Sequence, residues 1–340
     1  MRKRVFIVTA LLLSIILLSV TALTGCQKQD QGDLVKIRLN EVTRSVFYAP
    51  LYVAINLGFF EEEGIELELT TGQGADNVMT ALISGHADIG FMGPEATIYV
   101  YNESLDDYMV NFAQLTQRDG SFLMAREPMP NFKWEDVIGK TIIGGRPGGM
   151  PLMTLEFVLR NQGIQPYVDV EILTHIQFAL MAGAFIGGEG HFVTLFEPVA
   201  ATLELAGEGH VVASVGEDSG EIPYTVFSAR KSFIEKNPEL IQKFTNAIYR
   251  GQLWVQSATP QEIAEAIRPS FPDADLEVLT KVAARYKEID AWAATPLFTE
   301  EAFIRLQDVM QGAGHLTKRA PYTKLVTNDF GHRAIEQVQP

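Results

Sequence analysis

From Val35 onward, strand-like and helix-like segments alternate along the chain. VKIRLNEV (35–42) reads as a strand, and PLYVAINLGFFEEEG (50–64) has helical spacing, with Pro in its first turn and Gly at its C-terminal cap. Strand-like IELEL (65–69) and helix-like DNVMTALISGHA (76–87) follow, and the alternation continues to about residue 215. Strands that alternate with helices favour an α/β fold built on doubly wound, mainly parallel sheets.

Two segments far apart in the chain resemble each other. ALISGHADIGFMGPEA (81–96) aligns without gaps on AFIGGEGHFVTLFEPV (184–199), at an offset of 103 residues. In both, a helix ends at glycine, a short strand follows, and Pro and Glu, in either order, open the next helix. This internal similarity predicts two lobes of similar build that face each other across a cleft.

The first 25 residues differ in character from the rest. MRKR precedes an uncharged apolar run over residues 5–23, and polar sequence begins directly after Cys26. A basic start, an apolar middle and small residues before the break are typical of a secretory signal. The tetrapeptide L-T-G-C resembles the bacterial lipobox, in which the cysteine is lipidated. We therefore predict a lipoprotein signal peptide over 1–25, lipidation of Cys26 and a short tether over 26–33; an uncleaved anchor helix is the alternative.

Charge and cysteine content limit the partners that the protein can have. The chain carries 42 acidic and 27 basic side chains, and without the three basic residues of the predicted signal the balance is 42 against 24, a net charge of −18. Such a surface repels nucleic acid and anionic lipid headgroups. Because Cys26 is the only cysteine, we expect neither disulfides nor thiol chemistry in the folded part.

Ligands of open α/β sheets bind beyond the carboxyl ends of the strands, so the strand-to-helix loops and the two crossings between lobes are the candidate site. These loops are rich in glycine, aromatic residues and single charges. The candidate ligand-binding residues are Phe47, Tyr48, Gln73, Gly74, Ala75, Asp76, Gly93, Glu95, Arg118, Arg146, Gly148, Phe196, Glu197 and Tyr224.

The loop GQGADN (72–77) is one glycine short of a dinucleotide-binding fingerprint, because Asn77 stands at the third glycine position. What remains is a flexible turn that places a helix N-terminus at the cleft, where backbone N–H groups can bind a polar or anionic atom. We expect GGRPGGMP (144–151) to face this loop from the other lobe. Arg146 would add a charge-assisted hydrogen bond there.

The motifs of common enzymes are missing from the sequence. It contains no Gly-x-Ser-x-Gly and no His-Glu-x-x-His, and its six histidines have no metal-ligand spacing. Glu95 and Glu197 could act as the paired carboxylates of a hydrolase. Each also lies in a first helical turn, where a carboxylate complements the helix dipole. We predict no cofactor, no metal and no enzymatic activity, with an exported hydrolase as the alternative.

Three segments together resemble the periplasmic solute-binding proteins of ABC importers, in the branch for nitrate, sulfonates, taurine and thiamine pyrimidine precursors. They are SVFYAPLYVAINLGFFEEEGIELEL, GQGADNVMTALISGHADIGFMGPE and FEPVAA. The resemblance covers about residues 35–254. It departs from many members at Gly188-Glu189-Gly190-His191, where they read Gly-x-x-Asp-Ala. The fungal relatives that synthesise the pyrimidine carry a cysteine-rich motif that this chain lacks.

The resemblance implies two α/β lobes joined by two crossovers, with helices of a C-terminal extension packed mainly on the first lobe. On this basis residues 34–117 and 225–340 form lobe 1, and residues 118–224 form lobe 2. The implied protein is a monomeric, lipid-anchored receptor on the extracytoplasmic face of the membrane, which delivers a small solute to a permease and its ATPase. A nitrogen heterocycle suits the aromatics and the two glutamates, whereas a nitrate- or sulfonate-type anion suits Arg118 and Arg146. We expect the heterocycle, with the anion as the alternative.

Overall fold

The computed structural model describes residues 34–338. The predicted signal peptide, Cys26 and the tether over 26–33 lie outside these residues. Within the described part, no helix combines the length and apolar character that crossing a membrane requires. Two five-stranded mixed sheets, each covered by helices, form a two-lobed α/β structure, which confirms the predicted fold class.

The first sheet contains the strands at the two ends of the α/β region. Its spatial order is β2-β1-β3-β10-β4. Strand β10 runs antiparallel to its two neighbours β3 and β4, and the β1–β2 and β1–β3 pairs are parallel. The strands are β1 (Val35–Glu41), β2 (Ile65–Thr71), β3 (Ile89–Met92), β4 (Met109–Thr116) and β10 (Thr225–Arg230).

The second sheet repeats this arrangement. Its order is β7-β6-β8-β5-β9, with β5 as the antiparallel strand next to β8. Strands β3 and β8, which lie in the two similar sequence segments, therefore occupy the same place in their sheets, as the internal similarity predicts. The strands are β5 (Ser121–Ala125), β6 (Thr141–Ile143), β7 (Glu171–Leu173), β8 (Phe192–Phe196) and β9 (His210–Ser214).

One predicted helix of the first lobe is divided in two. The helix expected over 50–64 ends at Asn56 and restarts at Phe59, because Gly58 adopts a left-handed conformation with φ of 79°. Glycine reaches this region without steric cost, so the chain turns sharply there. The helices of this lobe are α1 (Ala49–Asn56), α2 (Phe59–Glu62), α3 (Ala75–Ser84) and α4 (Glu95–Asn102), preceded by a 3₁₀ turn over Val46–Tyr48.

The second lobe has one helix of 12 residues, α5, and three shorter helices. Gly149 and Pro151 begin α5, where proline in the first turn removes an N–H that would have no helical partner. Before α6 the chain makes a 3₁₀ turn over Phe178–Leu180. The helices are α5 (Met150–Asn161), α6 (Met181–Ile186), α7 (Val199–Leu205) and α8 (Val215–Ser219).

The C-terminal extension is helical and packs largely on the first lobe. Gln252 donates to the carbonyls of Gln114 in β4 and Ala293, and α10 packs along α1. It also reaches the second lobe, because Arg285 of α12 forms ion pairs with Glu197 and with Glu204 of α7. The helices are α9 (Lys231–Lys236), α10 (Pro238–Ser257), α11 (Pro260–Ile267), α12 (Leu276–Glu288), α13 (Glu300–Gly312), α14 (Tyr322–Leu325) and α15 (Asp329–Gln337).

Candidate functional site

Four of the predicted aromatic residues meet at the junction of the two sheets. The Phe47 ring centroid lies 5.4 Å from that of Tyr48, 5.7 Å from Phe196 and 5.6 Å from Tyr224. Phe47 and Tyr48 belong to the turn after β1, Phe196 ends β8 in the other sheet, and Tyr224 lies in the crossing before β10. A hydrogen bond of 2.9 Å from the indole N–H of Trp292 to the Phe47 carbonyl holds this turn in place. The rings thus form one aromatic cluster between the lobes.

Glu95, the first residue of α4, is a buried acid with an unused oxygen. Its side chain is 3% exposed, and Oε2 has no hydrogen-bond partner among residues 34–338. A Cβ on Gly93 would lie 2.0 Å from this oxygen, so only glycine lets the carboxyl group fold back over the loop. Burial raises the pKa of Glu95 to about 7, although its own N–H and that of Met150, in the second lobe, oppose the shift. Glu95 therefore presents a free acceptor at the boundary between the lobes.

Asp119, in the crossing from β4 to β5, is a second acid of this kind, and the sequence-based candidate list does not contain it. It is fully buried; Oδ1 accepts hydrogen bonds of 2.6 Å from the Ser121 N–H and from the Ser121 hydroxyl, whereas Oδ2 has no partner in the described chain. Burial raises its pKa to about 6, opposed by the hydroxyls of Ser121, Tyr224 and Thr154. The neighbouring Arg118 forms no ion pair with Asp119.

Two tyrosines stand beside these acids. Tyr224 is buried, and its hydroxyl lies beside the Asp119 carboxyl group, although it reaches full hydrogen-bond geometry with no partner within residues 34–338. Burial raises the pKa values of Tyr48 and Tyr224, and the charges of Glu95 and Asp119 add to the increase in both. Glu95, Asp119, Tyr48 and Tyr224 therefore lie within electrostatic reach of one another. They form what we call the acid–tyrosine cluster.

The two glycine-rich loops lie against each other at the edge of the cleft. Arg146 Nη2 is 3.3 Å from Asp76 Oδ1, and the Tyr99 hydroxyl donates to the Gly148 carbonyl over 3.1 Å. The Arg146 and Asp76 side chains are 45% and 68% exposed, so their attraction is screened by solvent and contributes at most about 1 kcal/mol. Gln73, in a left-handed conformation, is exposed, and Gly74 and Ala75 lead into α3.

Glu197 is engaged within the protein. Its Oε1 accepts a hydrogen bond of 2.7 Å from Arg285, and its Oε2 accepts one of 2.7 Å from the backbone N–H of Ala201 in α7. The Ser45 hydroxyl donates to its carbonyl over 2.7 Å, which joins the lobes. Burial raises the pKa of Glu197, and Arg285 opposes the shift. With both carboxylate oxygens used, Glu197 has a structural role in this geometry and no free acceptor for a ligand.

Arg118 points toward the C-terminal extension. Its Nε is buried and without a hydrogen-bond partner among the described residues, and its charge lowers the pKa of Asp290, which burial raises. The two arginines of the candidate list thus each lie near an acid, Asp76 or Asp290. The described residues also contain no group of three His, Cys, Asp or Glu side chains arranged to hold a metal ion.

Comparison with known proteins agrees with this architecture. Residues 46–263 match the family model described as "NMT1/THI5 like". Over 316 residues, 93% of this chain and 94% of the relative, the sequence is 43% identical to "Putative binding protein YtlA" of Bacillus subtilis (strain 168). It is 24% identical over 297 residues, 84% of this chain and 83% of the relative, to "Riboflavin-binding protein RibY" of Chloroflexus aurantiacus.

Solved structures of low sequence identity share the fold. The alkanesulfonate-binding protein SsuA from Xanthomonas axonopodis pv. citri, bound to MOPS, superposes with a TM-score of 0.70 at 14% identity, over 87% of this chain and 99% of that one. A desulfurization enzyme, DSZB, superposes with a TM-score of 0.65 at 12% identity, over 89% and 99%. At these identities the likeness shows the fold alone. The matched family model and the two-lobed structure together establish that this chain belongs to the NMT1/THI5-like family and has the fold of the periplasmic solute-binding proteins.

Proposed function

We propose that the protein is the solute-binding lipoprotein of an ABC importer and that its solute is a small nitrogen heterocycle. Its signal peptide would direct export, and lipidated Cys26 would hold the monomer at the extracytoplasmic face of the membrane. The permease and its ATPase would be its protein partners. The strong identity to a relative named as a binding protein supports the class, and the acid–tyrosine cluster supports the type of solute.

One observation carries the choice of solute: Glu95 keeps a buried oxygen that no group of residues 34–338 hydrogen-bonds, next to aromatic rings at the lobe boundary. A buried acceptor without a donor costs about 1–3 kcal/mol, and a ligand N–H would remove this cost. A flat heterocycle would also stack on Phe47, Tyr48 or Tyr224. An anion would instead meet two buried acids, while Arg146 and Arg118 lie near acids of their own.

The names of the relatives are consistent with either class of ligand but favour neither by themselves. RibY is named for binding riboflavin, a heterocycle, and SsuA for binding alkanesulfonates. Both are less than 25% identical to this chain. The buried acids of this chain itself therefore carry the argument.

Solute uptake would require the lobes to open and close. The Phe47, Phe196 and Tyr224 rings, which come from both sheets and a crossing, are in mutual contact, so a solute reaches the acids only when the lobes separate. Contacts from the second lobe would then stabilise the closed form, since only a ligand that prefers one form shifts the equilibrium. We expect small-angle scattering to show a smaller radius of gyration after the solute is added. An unchanged radius at saturating solute would contradict hinge closure.

Calorimetry with two probes tests the type of solute. We expect hydroxymethylpyrimidine, the aminopyrimidine precursor of thiamine, to bind, and taurine not to bind. The Arg146→Ala variant should bind hydroxymethylpyrimidine within about threefold of the wild type, because it removes only a solvent-screened ion pair. Binding of taurine that Arg146→Ala weakens by tenfold or more would contradict the heterocycle and support the anion.

The geometry does not favour the hydrolase. A hydrolase of this type needs one carboxyl group as an acid and another as a base or nucleophile at the same bond. Glu95 is free, but Glu197 holds the Ala201 N–H and the Arg285 guanidinium. We therefore propose that the protein binds its solute without converting it.

A further inference from the structure

Glu95 and Asp119, which each keep one oxygen without a hydrogen-bond partner among residues 34–338, approach the same end of one helix. Glu95 lies close enough to the backbone N–H of Met150 for that group to lower its pKa, and Asp119 stands in the same relation to the hydroxyl of Thr154. Met150 and Thr154 are four residues apart in the first turns of α5, and the Thr154 hydroxyl donates to the Met150 carbonyl over 2.8 Å. Residues at this spacing lie on the same helix face, about 5–6 Å apart. The two acids therefore approach the same helix face, one from lobe 1 and one from the crossing.

Within the described part of the chain, no positive side chain pairs with either acid. Neither Glu95 nor Asp119 forms an ion pair with a Lys, Arg or His of residues 34–338. Other buried acids of the same structure are paired: Glu41 with Arg44, Glu156 with Arg160, and Glu197 with Arg285. Buried carboxylates are normally paired or fully hydrogen-bonded, so two exceptions in one cluster indicate that their partner comes from outside the chain.

We propose that Glu95 and Asp119 together bind a planar, nitrogen-rich solute that carries a positive charge, and that Asp119 selects the charged form over a neutral one. This inference rests on the proposed function and extends it, because one acid would suffice for a neutral aminopyrimidine. A protonated amino-heterocycle or an amidinium offers N–H donors on two sides, one for each free oxygen. The surrounding rings of Tyr48 and Tyr224 add a favourable cation–π attraction.

The pKa directions give the proposal a defined pH dependence. The groups near the two acids are the hydroxyls of Ser121, Thr154, Tyr48 and Tyr224, the backbone N–H of Met150, Tyr99 on the side of Glu95 and Tyr286 on the side of Asp119, and none of them is cationic. With pKa values of about 7 and about 6, the acids are ionised above neutral pH and protonated below pH 5. A cation therefore binds most tightly above pH 7, loses affinity as the pH falls toward 5, and displaces protons when it binds.

Three ring-matched probes test the charge preference by calorimetry at pH 8. 4-Aminopyridine is protonated under these conditions, 4-aminopyrimidine is neutral, and isonicotinate is an anion. We expect the wild type to bind 4-aminopyridine at least tenfold more tightly than 4-aminopyrimidine and not to bind isonicotinate. Asp119→Asn should weaken 4-aminopyridine at least tenfold and change 4-aminopyrimidine by less than threefold. The control Asp106→Asn, which removes an exposed acid of the loop between α4 and β4, outside the candidate residues, should leave both affinities within threefold.

Several outcomes would overturn the proposal. Equal affinity for the charged and neutral rings, preference for isonicotinate, or an equal loss of both rings in Asp119→Asn would each contradict it and leave solute binding intact. If none of the three probes binds, native mass spectrometry of the freshly purified protein decides. A retained neutral or anionic solute overturns the charge preference alone. The absence of any retained solute, together with no binding of hydroxymethylpyrimidine, overturns the proposed function as well.

The melting temperature of the ligand-free protein tests whether Asp119 serves to bind the solute or to stabilise the fold. Because burial raises the pKa of Asp119 from 3.8 to about 6, the folded state binds its proton more tightly than the unfolded chain does. Stability is therefore lost as the pH rises through this range, and the ionised carboxylate destabilises the closed protein at pH 8. We expect Asp119→Asn to melt at the same or a higher temperature than the wild type at pH 8, while it binds 4-aminopyridine more weakly. A lower melting temperature would show that the charge of Asp119 is compensated within the protein and would overturn the proposal.

Discussion

Glu95→Gln is expected to bind hydroxymethylpyrimidine about 10–100-fold more weakly than the wild type. Glutamine keeps the size of the side chain but turns the free acceptor Oε2 into an N–H donor, which opposes the N–H of the solute. The loss corresponds to about 1.5–3 kcal/mol, the usual contribution of a hydrogen bond to a charged group. Isothermal calorimetry at pH 8, where the carboxyl group of pKa about 7 is ionised, measures the change.

This experiment has two controls: the melting temperature of Glu95→Gln, and the affinity of a second variant in which another acid is replaced by its amide. Glu95→Gln should not lower the melting temperature, since it removes a buried carboxylate that has no partner in the described chain. Glu61→Gln changes another first-turn acid, exposed on α2 and outside the candidate residues, and should bind the probe within about threefold of the wild type. Wild-type affinity in Glu95→Gln, with a normal melting temperature, would remove Glu95 from the site and with it the main support for a heterocyclic solute.

Arg285→Met is expected to cost about 3–5 kcal/mol of the free energy of unfolding, because it leaves a buried charge unpaired. Glu197 is fully buried, and Arg285 holds its Oε1 over 2.7 Å as well as binding Glu204. Methionine keeps the apolar stem of the side chain and removes only the guanidinium group. For a chain of this size the loss corresponds to a melting temperature lower by about 10 °C, measurable by calorimetry or circular dichroism.

The double variant Glu197→Gln/Arg285→Met provides the internal control. It removes both charges of the buried pair, so it should recover part of the stability that Arg285→Met loses. Glu204 keeps Lys281 as a partner in both variants. A single variant within 1 kcal/mol of the wild type, or a double variant no more stable than the single one, would show that this ion pair does not join α12 to the second lobe in the way the structure indicates.

The architecture could be predicted from sequence because it depends on local periodicity and on repetition. Alternating segments predicted the α/β class, and the similarity of 81–96 to 184–199 predicted two lobes of one build, which the equal sheet orders confirm. The division of the helix over 50–64 at Gly58 was missed, because a glycine inside a helical pattern can either continue the helix or adopt a left-handed turn. In the structure, both halves of the divided helix pack against α10, and the sequence pattern does not reveal this contact.

The binding residues could be predicted only in part. The aromatics at loop positions do meet between the lobes, yet whether they touch a solute stays a prediction. Glu95 and Glu197 show why. In the sequence both acids stand next to a proline at the start of a helix, and they differ only in whether the acid follows or precedes that proline. In Pro94-Glu95 the acid begins α4 and folds back over Gly93, whereas in Glu197-Pro198 it precedes the proline and accepts from the Ala201 N–H of α7.

Asp119 shows what sequence reasoning could not supply. A single acid beside an arginine, in a segment that links two sheets, has no pattern of its own, and an ion pair between Arg118 and Asp119 is the simplest expectation. The fold turns the two side chains apart, because Asp119 turns back onto Ser121 while the charge of Arg118 acts on Asp290 in the C-terminal extension. An acid placed in a crossing between lobes was the one signal that could have drawn attention to it.

The sequence by itself determined the α/β class, the paired lobes and the loops that border the cleft, since these follow from the spacing of apolar residues and from glycine and proline. Only the tertiary structure decided which of the acids have partners. Arg285 forms an ion pair with Glu197, and Arg44 forms one with Glu41. No cationic side chain of the described residues pairs with Glu95 or Asp119. The physical reason is that an acid's role depends on burial and on the groups within hydrogen-bond distance, and residues far apart in the chain supply both.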